Sequence, residues 1–129
     1  MTGWVWLDER EARAIHDRAL ILHGGAAGVR DGGLLQSALA RPQQLAAYDE
    51  AADLAALATA YTAGIVKNHP FVDGNKRTGF ILGVLFLELN GKNFTASEED
   101  AAAAVLMLAA GAWDEAAYAV FLREHIADE

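Results

Sequence analysis

Residues 69–77, HPFVDGNKR, bring an imidazole (His69), a carboxylate (Asp73), a turn-forming glycine (Gly74) and two cations (Lys76, Arg77) into nine consecutive positions. The apolar run FILGVLFLEL, residues 80–89, follows and is stopped by Asn90 and Gly91. A helix that is hydrophobic all round belongs in the middle of a domain. The reactive groups therefore gather at the N-terminal mouth of an expected central helix, where backbone N–H groups lack partners and the dipole favours an anion. Gly74 allows the chain to turn tightly, so that the N–H groups of Asn75, Lys76 and Arg77 converge on one spot suited to phosphate oxygens. Asp73 at its edge is placed to hold Mg²⁺, an ion bound by one or two carboxylates together with substrate phosphates. His69 is the candidate general base on an attacking hydroxyl. Positioned oxygens, a metal, cations and a base are what phosphoryl transfer requires.

Each residue also has a structural alternative. His69 could satisfy a buried carbonyl beside Pro70, and Asp73 could simply cap the following helix. Lys76 and Arg77 could be surface charges, although cations in a first turn oppose the dipole. The combination in this order favours chemistry over coincidence.

The elements that must hold this stretch read as helices. The 129 residues fit one domain, 1–129, and 53% hydrophobic content, much of it alanine, argues for a packed helical globule. A formal charge of −8 disfavours a direct nucleic-acid binder. Absence of cysteine excludes disulfides and thiolate metal sites. MTGWVWLDERE has no signal-peptide pattern, and the central apolar run is short for a bilayer, so the expectation is a cytoplasmic protein without membrane association.

Asp8 with Glu11 forms a capping box for a helix to about His23, with Ala12, Ile15, Ala19 and Leu22 facing inward. GGAAGVRDGG, residues 24–33, reads as a glycine-rich loop with no nucleotide-binding pattern. Asp31 caps a short helix, 34–40, ended by Arg41-Pro42. Asp53 caps a helix to Asn68, with Leu54, Leu57, Ala58, Tyr61 and Ile65 on one face. KNFTA, residues 92–96, is extended but too short for a sheet of its own. Ser97 with Asp100 caps a helix towards Gly111, and Asp114 caps the last, with Ala117, Val120, Phe121 and Ile126 buried. The expected architecture is an all-α bundle of about six helices around a central buried helix. Arg30 and Asp31 read as a loop ion pair rather than a substrate contact. His16 and His23 read as structural, His125 as exposed, and Trp4, Trp6 and Trp113 as packing residues.

HPFVDGNKR resembles the Fic/Doc motif, HxFx(D/E)GN(G/K)R, in its Doc form, with lysine at position 76 where Fic nucleotidyltransferases carry glycine. IHDRALILHGG (15–25), GVRDGGLLQSALARPQ (28–43), TASEEDAAAAVLMLAAG (95–111) and FLREHI (121–126) are similar to stretches of bacterial Doc toxins, the death-on-curing proteins of toxin–antitoxin systems. The resemblance implies the Fic fold and an enzyme using ATP and Mg²⁺ on a protein hydroxyl. It implies His69 as base, Asp73 as metal carboxylate, Gly74 and Asn75 as the phosphate-cradling turn, and Lys76 and Arg77 as phosphate cations. It also implies elongation factor Tu as target, growth arrest as outcome, and a Phd-like antitoxin that fills a groove with its C-terminal segment. Fic enzymes often carry a second arginine three residues after the first, where this chain has Phe80. That departure and Lys76 favour kinase activity over nucleotidyl transfer. The alternatives are a nucleotidyltransferase and a catalytically idle module whose groove binds a partner.

Overall fold

The computed structural model describes residues 3–129, so the first two residues of the N-terminal stretch lie outside it. The order is α1 (Glu9–His23), α2 (Gly32–Tyr48), α3 (Leu54–Asn68), α4 (Asn75–Leu89), β1 (Lys92–Phe94), α5 (Glu98–Ala109), α6 (Glu115–Glu124) and β2 (Ile126–Asp128). It is the six-helix all-α architecture expected of a Fic fold, with one small two-stranded ribbon among the described residues.

Local capping chemistry explains most helix starts. Asp8 and Glu11 form both halves of the capping box on α1. Asp31, Asp53, Ser97 and Asp114 each accept a backbone N–H from the first turn of α2, α3, α5 and α6.

The helix enclosed on every side is α3, not α4. From Leu54 to Val66 every residue except Ala56 is buried. α4 buries Asn75, Thr78, Gly79, Leu82, Gly83, Phe86 and Leu87, and leaves Ile81 and Val84 only half covered. Both helices are apolar, and glycines on each let α2, α3 and α4 pack closely. A Cβ on Gly79 would lie 3.0 Å from the Thr62 carbonyl, one on Gly83 would lie 2.4 Å from Thr62 Oγ1, and one on Gly64 would lie 3.1 Å from the Ala38 carbonyl. Glycine inside a helix costs about 1 kcal/mol relative to alanine, and here it permits α2, α3 and α4 to approach closely. Gly83→Ala should therefore destabilise the fold by about 1–3 kcal/mol through overpacking, despite its better helix propensity. Chemical denaturation measures this, and an unchanged or raised midpoint would refute it.

Further sequence expectations need correction. α2 runs through Pro42 to Tyr48 rather than ending at Arg41. Pro42 has no N–H to offer the Ala38 carbonyl, and that carbonyl faces the surface of Gly64 instead. On α1 the buried positions are Ala12, His16 and Ala19, and Ile15 packs partly buried against the core, while Leu22 is 63% exposed. The buried face of α6 is Tyr118, Ala119, Phe121 and Leu122, and Val120 is exposed. KNFTA does find a partner: β1 pairs antiparallel with β2, Phe94 opposite Ile126, so Ile126 belongs to a strand.

The tryptophans pack as expected, with Trp4, Trp6 and Trp113 against the core and Trp6 stacked on Phe86. His125 is half-buried, with Nδ1 at 2.8 Å from the Phe121 carbonyl. No described helix is long and apolar enough to cross a membrane.

Candidate functional site

The turn between α3 and α4 carries the HPFVDGNKR residues. α3 is closed by its C-cap His69, which adopts the left-handed conformation (φ 52°, ψ 52°) while its N–H still donates to the Ile65 carbonyl at 3.1 Å. Among the described residues it is the one non-glycine residue with positive φ. Such backbone costs on the order of 1–3 kcal/mol and persists where the surroundings impose it.

Those surroundings are explicit. Phe71 is fully buried and stacks on His16, with ring centroids 3.9 Å apart and planes 8° from parallel. His16 Nε2 lies 2.7 Å from the Asp73 carbonyl, so the buried imidazole donates to the turn. The segment before α2 runs beside it: Val29 bridges Phe71, Val72 N–H donates to the Gly28 carbonyl, and the N–H groups of Arg30 and Asp31 both donate to the Pro70 carbonyl.

Asn75 is 3% exposed and ties the turn from within. Its Oδ1 accepts from Phe71 N–H at 3.0 Å and its Nδ2 donates to the Phe71 carbonyl at 3.0 Å, which fixes the orientation of the amide. Nδ2 also lies 3.2 Å from His69 Nδ1. A donor at that position favours the tautomer in which Nδ1 accepts and Nε2 carries the proton.

Asp73 does not cap α4. The cap is Gly74, in the left-handed region at φ 76°, and no side chain accepts from the first turn. Asp73 instead accepts from Ala26 N–H (3.2 Å) and Gly74 N–H (2.8 Å). These two bonds, Ala26 first, hold its carboxyl below the usual value of 3.8 against a small opposing effect of burial, and the charges of His16 and Arg77 act in the same direction. A carboxyl lowered by the fold adds stability above its unfolded value, and this is lost as pH falls through its folded value. Gly25 makes the approach possible, since a Cβ there would sit 2.9 Å from Asp73 Oδ2.

His69 and the run Val72–Arg77 line a cavity of about 220 Å³ at the start of α4, where no side chain accepts from the first-turn N–H groups. Lys76 and Arg77 are exposed and form no ion pair among the described residues. Both also border a larger, mostly apolar groove of about 640 Å³, walled by Phe80, Ile81 and Val84 of α4 and by Phe94, Val105 and Leu106 across from them.

The family model described as Fic/DOC family matches residues 6–87, well over half of the chain. The chain belongs to this family. The match takes in α1 to α3, the whole turn and α4 up to Leu87, whereas the far wall of the groove, from β1 and α5, lies beyond it. Among its relatives is the protein named Protein kinase doc of Escherichia phage P1, 34% identical over 85 residues, which are 66% of this chain and 68% of that one. The protein named Toxin Doc of Mycolicibacterium smegmatis (strain ATCC 700084 / mc(2)155) is 42% identical over 80 residues, 59% of either chain.

All six candidate residues of this Fic/DOC chain, His69, Asp73, Gly74, Asn75, Lys76 and Arg77, line the one cavity. The side chain of Asn75 faces into the protein, so only its backbone N–H is left for a phosphate. Ala26, Arg30 and His16 also hold the turn, roles that the sequence does not announce. The expected ion pair between Arg30 and Asp31 does not form: Asp31 caps α2, and Arg30 reaches the end of α3. His23 is exposed and borders the groove. Sequence spacing carries no signal for these contacts, which join residues 38 to 57 positions apart.

Proposed function

We propose that this protein is a Doc-type toxin: a kinase that transfers the γ-phosphate of ATP to a serine or threonine hydroxyl of a translation factor, elongation factor Tu, and so arrests growth. One observation carries the reading. An imidazole and an ionised carboxylate flank a small cavity at the N-terminus of a helix that no side chain caps and whose first turn bears two exposed cations. Helix N-termini favour phosphate through their unpaired N–H groups and dipole, and the cavity is of a size for phosphate groups rather than a whole nucleotide.

In this reading the backbone of Gly74–Arg77 cradles phosphate oxygens, and Lys76 and Arg77 offset their charge. His69 takes the proton of the acceptor hydroxyl as its oxygen bonds to the γ-phosphorus and ADP leaves. Asp73 is the group that would hold Mg²⁺. It is ionised and exposed, and the described residues form no cluster of three or more His, Asp or Glu, so phosphate and water would supply the other ligands. The ion would neutralise charge developing on the phosphates.

Asp73→Asn should accordingly abolish Mg²⁺-dependent nucleotide binding while α4 keeps its cap, because Gly74 provides it. The variant should be less stable than the parent at neutral pH, with the two converging as pH falls below the ordinary carboxylate value of 3.8. Titration calorimetry with and without Mg²⁺, beside denaturation at several pH values, measures both. Unaltered Mg²⁺ dependence would leave Asp73 as a loop fastener only.

The apolar groove suits the C-terminal segment of a Phd-like antitoxin, whose apolar side would lie on Phe80 and Val84 and whose acidic groups would meet Lys76 and Arg77. The test of the whole reading is the intact mass of elongation factor Tu after incubation with this protein, ATP and Mg²⁺. Addition of phosphate supports it, addition of adenylate replaces it with nucleotidyl transfer, and no addition leaves a partner-binding module.

A further inference from the structure

His69 occupies a strained backbone position, so something must keep it there. Its amide side is fixed by the helix, through N–H donation to the Ile65 carbonyl. Its carbonyl side is fixed from outside the helix. Arg30 Nε donates to the His69 carbonyl at 2.7 Å, and Arg30 Nη2 donates to the Asn68 carbonyl at 2.9 Å. The planar guanidinium thus spans the last two carbonyls of α3, which no further turn of helix serves. A cation at this end also complements the helix dipole.

The anchor of Arg30 is itself firm. Its own N–H and that of Asp31 donate to the Pro70 carbonyl at 2.7 and 3.0 Å, and Asp31 then caps α2. With the amide pinned on one side of the His69 Cα and the carbonyl on the other, φ and ψ are both set, and with them the direction in which the imidazole leaves the chain. Asn75 completes the arrangement at Nδ1.

We propose that Arg30 is a positioning residue for His69, holding the imidazole at the mouth of the cavity without touching substrate. The inference rests on the reading of His69 as the reacting base. Misplacement of a reacting group by about 1 Å can lower a rate about 100-fold. Arg30→Ala should therefore lower kcat for transfer by about 10- to 100-fold while KM for ATP changes less than about twofold, since Arg30 does not line the cavity. Arg30→Lys, which keeps the charge and can reach one carbonyl, should recover part of the loss.

A second measurement is independent of activity. Amide hydrogen exchange in Arg30→Ala should accelerate at least about tenfold at His69, while the buried amides of α3 around Tyr61 keep their protection. Uniform acceleration along α3 would overturn the proposal, because Arg30 would then be a helix cap and nothing more. A raised KM for the target protein with exchange unchanged would overturn it in favour of a substrate contact, and an unaltered kcat would overturn it outright. If the wild-type protein transfers no phosphate, the kinase reading fails on that result, while the exchange experiment still decides whether Arg30 holds His69.

Discussion

His69→Ala is expected to lower target phosphorylation by about 10²- to 10⁴-fold while the protein remains folded. That range corresponds to about 3–5 kcal/mol of transition-state stabilisation. Little in the fold depends on the ring. It is exposed, and its structural contact is the 3.2 Å approach of Asn75 Nδ2 to Nδ1. The bonds that hold the turn go to the His69 backbone instead, from Arg30 and to Ile65, and alanine keeps them. Alanine at positive φ is also disfavoured, so His69→Asn, which tolerates the left-handed region, serves as a second variant. The resting tautomer does not prevent catalysis. With the proton on Nε2 the ring must give up the Asn75 contact before Nε2 can accept a proton. Losing one neutral hydrogen bond costs about 0.5–1.5 kcal/mol, well below the effect assigned to the base. Transfer at near wild-type rate in both variants, followed by target mass, would remove His69 from the chemistry.

The local chemistry of the chain is legible in its sequence. Asp8, Asp31, Asp53, Ser97 and Asp114 all start helices because capping is decided within four residues. The candidate cavity is legible for a related reason: its residues lie in one short turn, and a turn of that length can hardly separate them. Features that depend on distant chain are not legible in this way. Pro42 looks like a helix end, yet it is buried inside α2, where the Ala38 carbonyl it cannot serve lies against Gly64. Leu22 looks like a core residue, but the inward stripe of α1 follows His16, which Phe71 draws in from another element. β1 is too short to declare itself, and its partner begins more than thirty residues later. The same limit hides Arg30. Nothing in GVRDGG shows that a guanidinium in a glycine-rich loop will close the end of a helix 38 residues on.

Lys76 gives the sharpest test of the reaction type, because it stands between the cavity and the groove and borders both. A lysine in the first turn of α4 opposes the helix dipole, so a phosphate partner gives it a reason to be there. Its ammonium should occupy the space an α-phosphate would need at the helix start and draw the phosphate chain into a shifted pose. In-line transfer would then require the γ-phosphorus to face the hydroxyl that His69 is proposed to deprotonate. ATP labelled at the γ-phosphate should label the target, and ATP labelled at the α-phosphate should not. Lys76→Gly should reduce phosphorylation by about 10²-fold or more, the usual effect of removing one fixed group that stabilises transition-state charge. The fold should survive, since glycine costs about 1 kcal/mol in a helix and Lys76 is exposed. Adenylylation need not appear in its place: Phe80 stands where Fic enzymes often carry a second arginine, and it lines the apolar groove instead. Label from the α-phosphate with the wild-type protein would overturn the kinase reading and make the chain a nucleotidyltransferase.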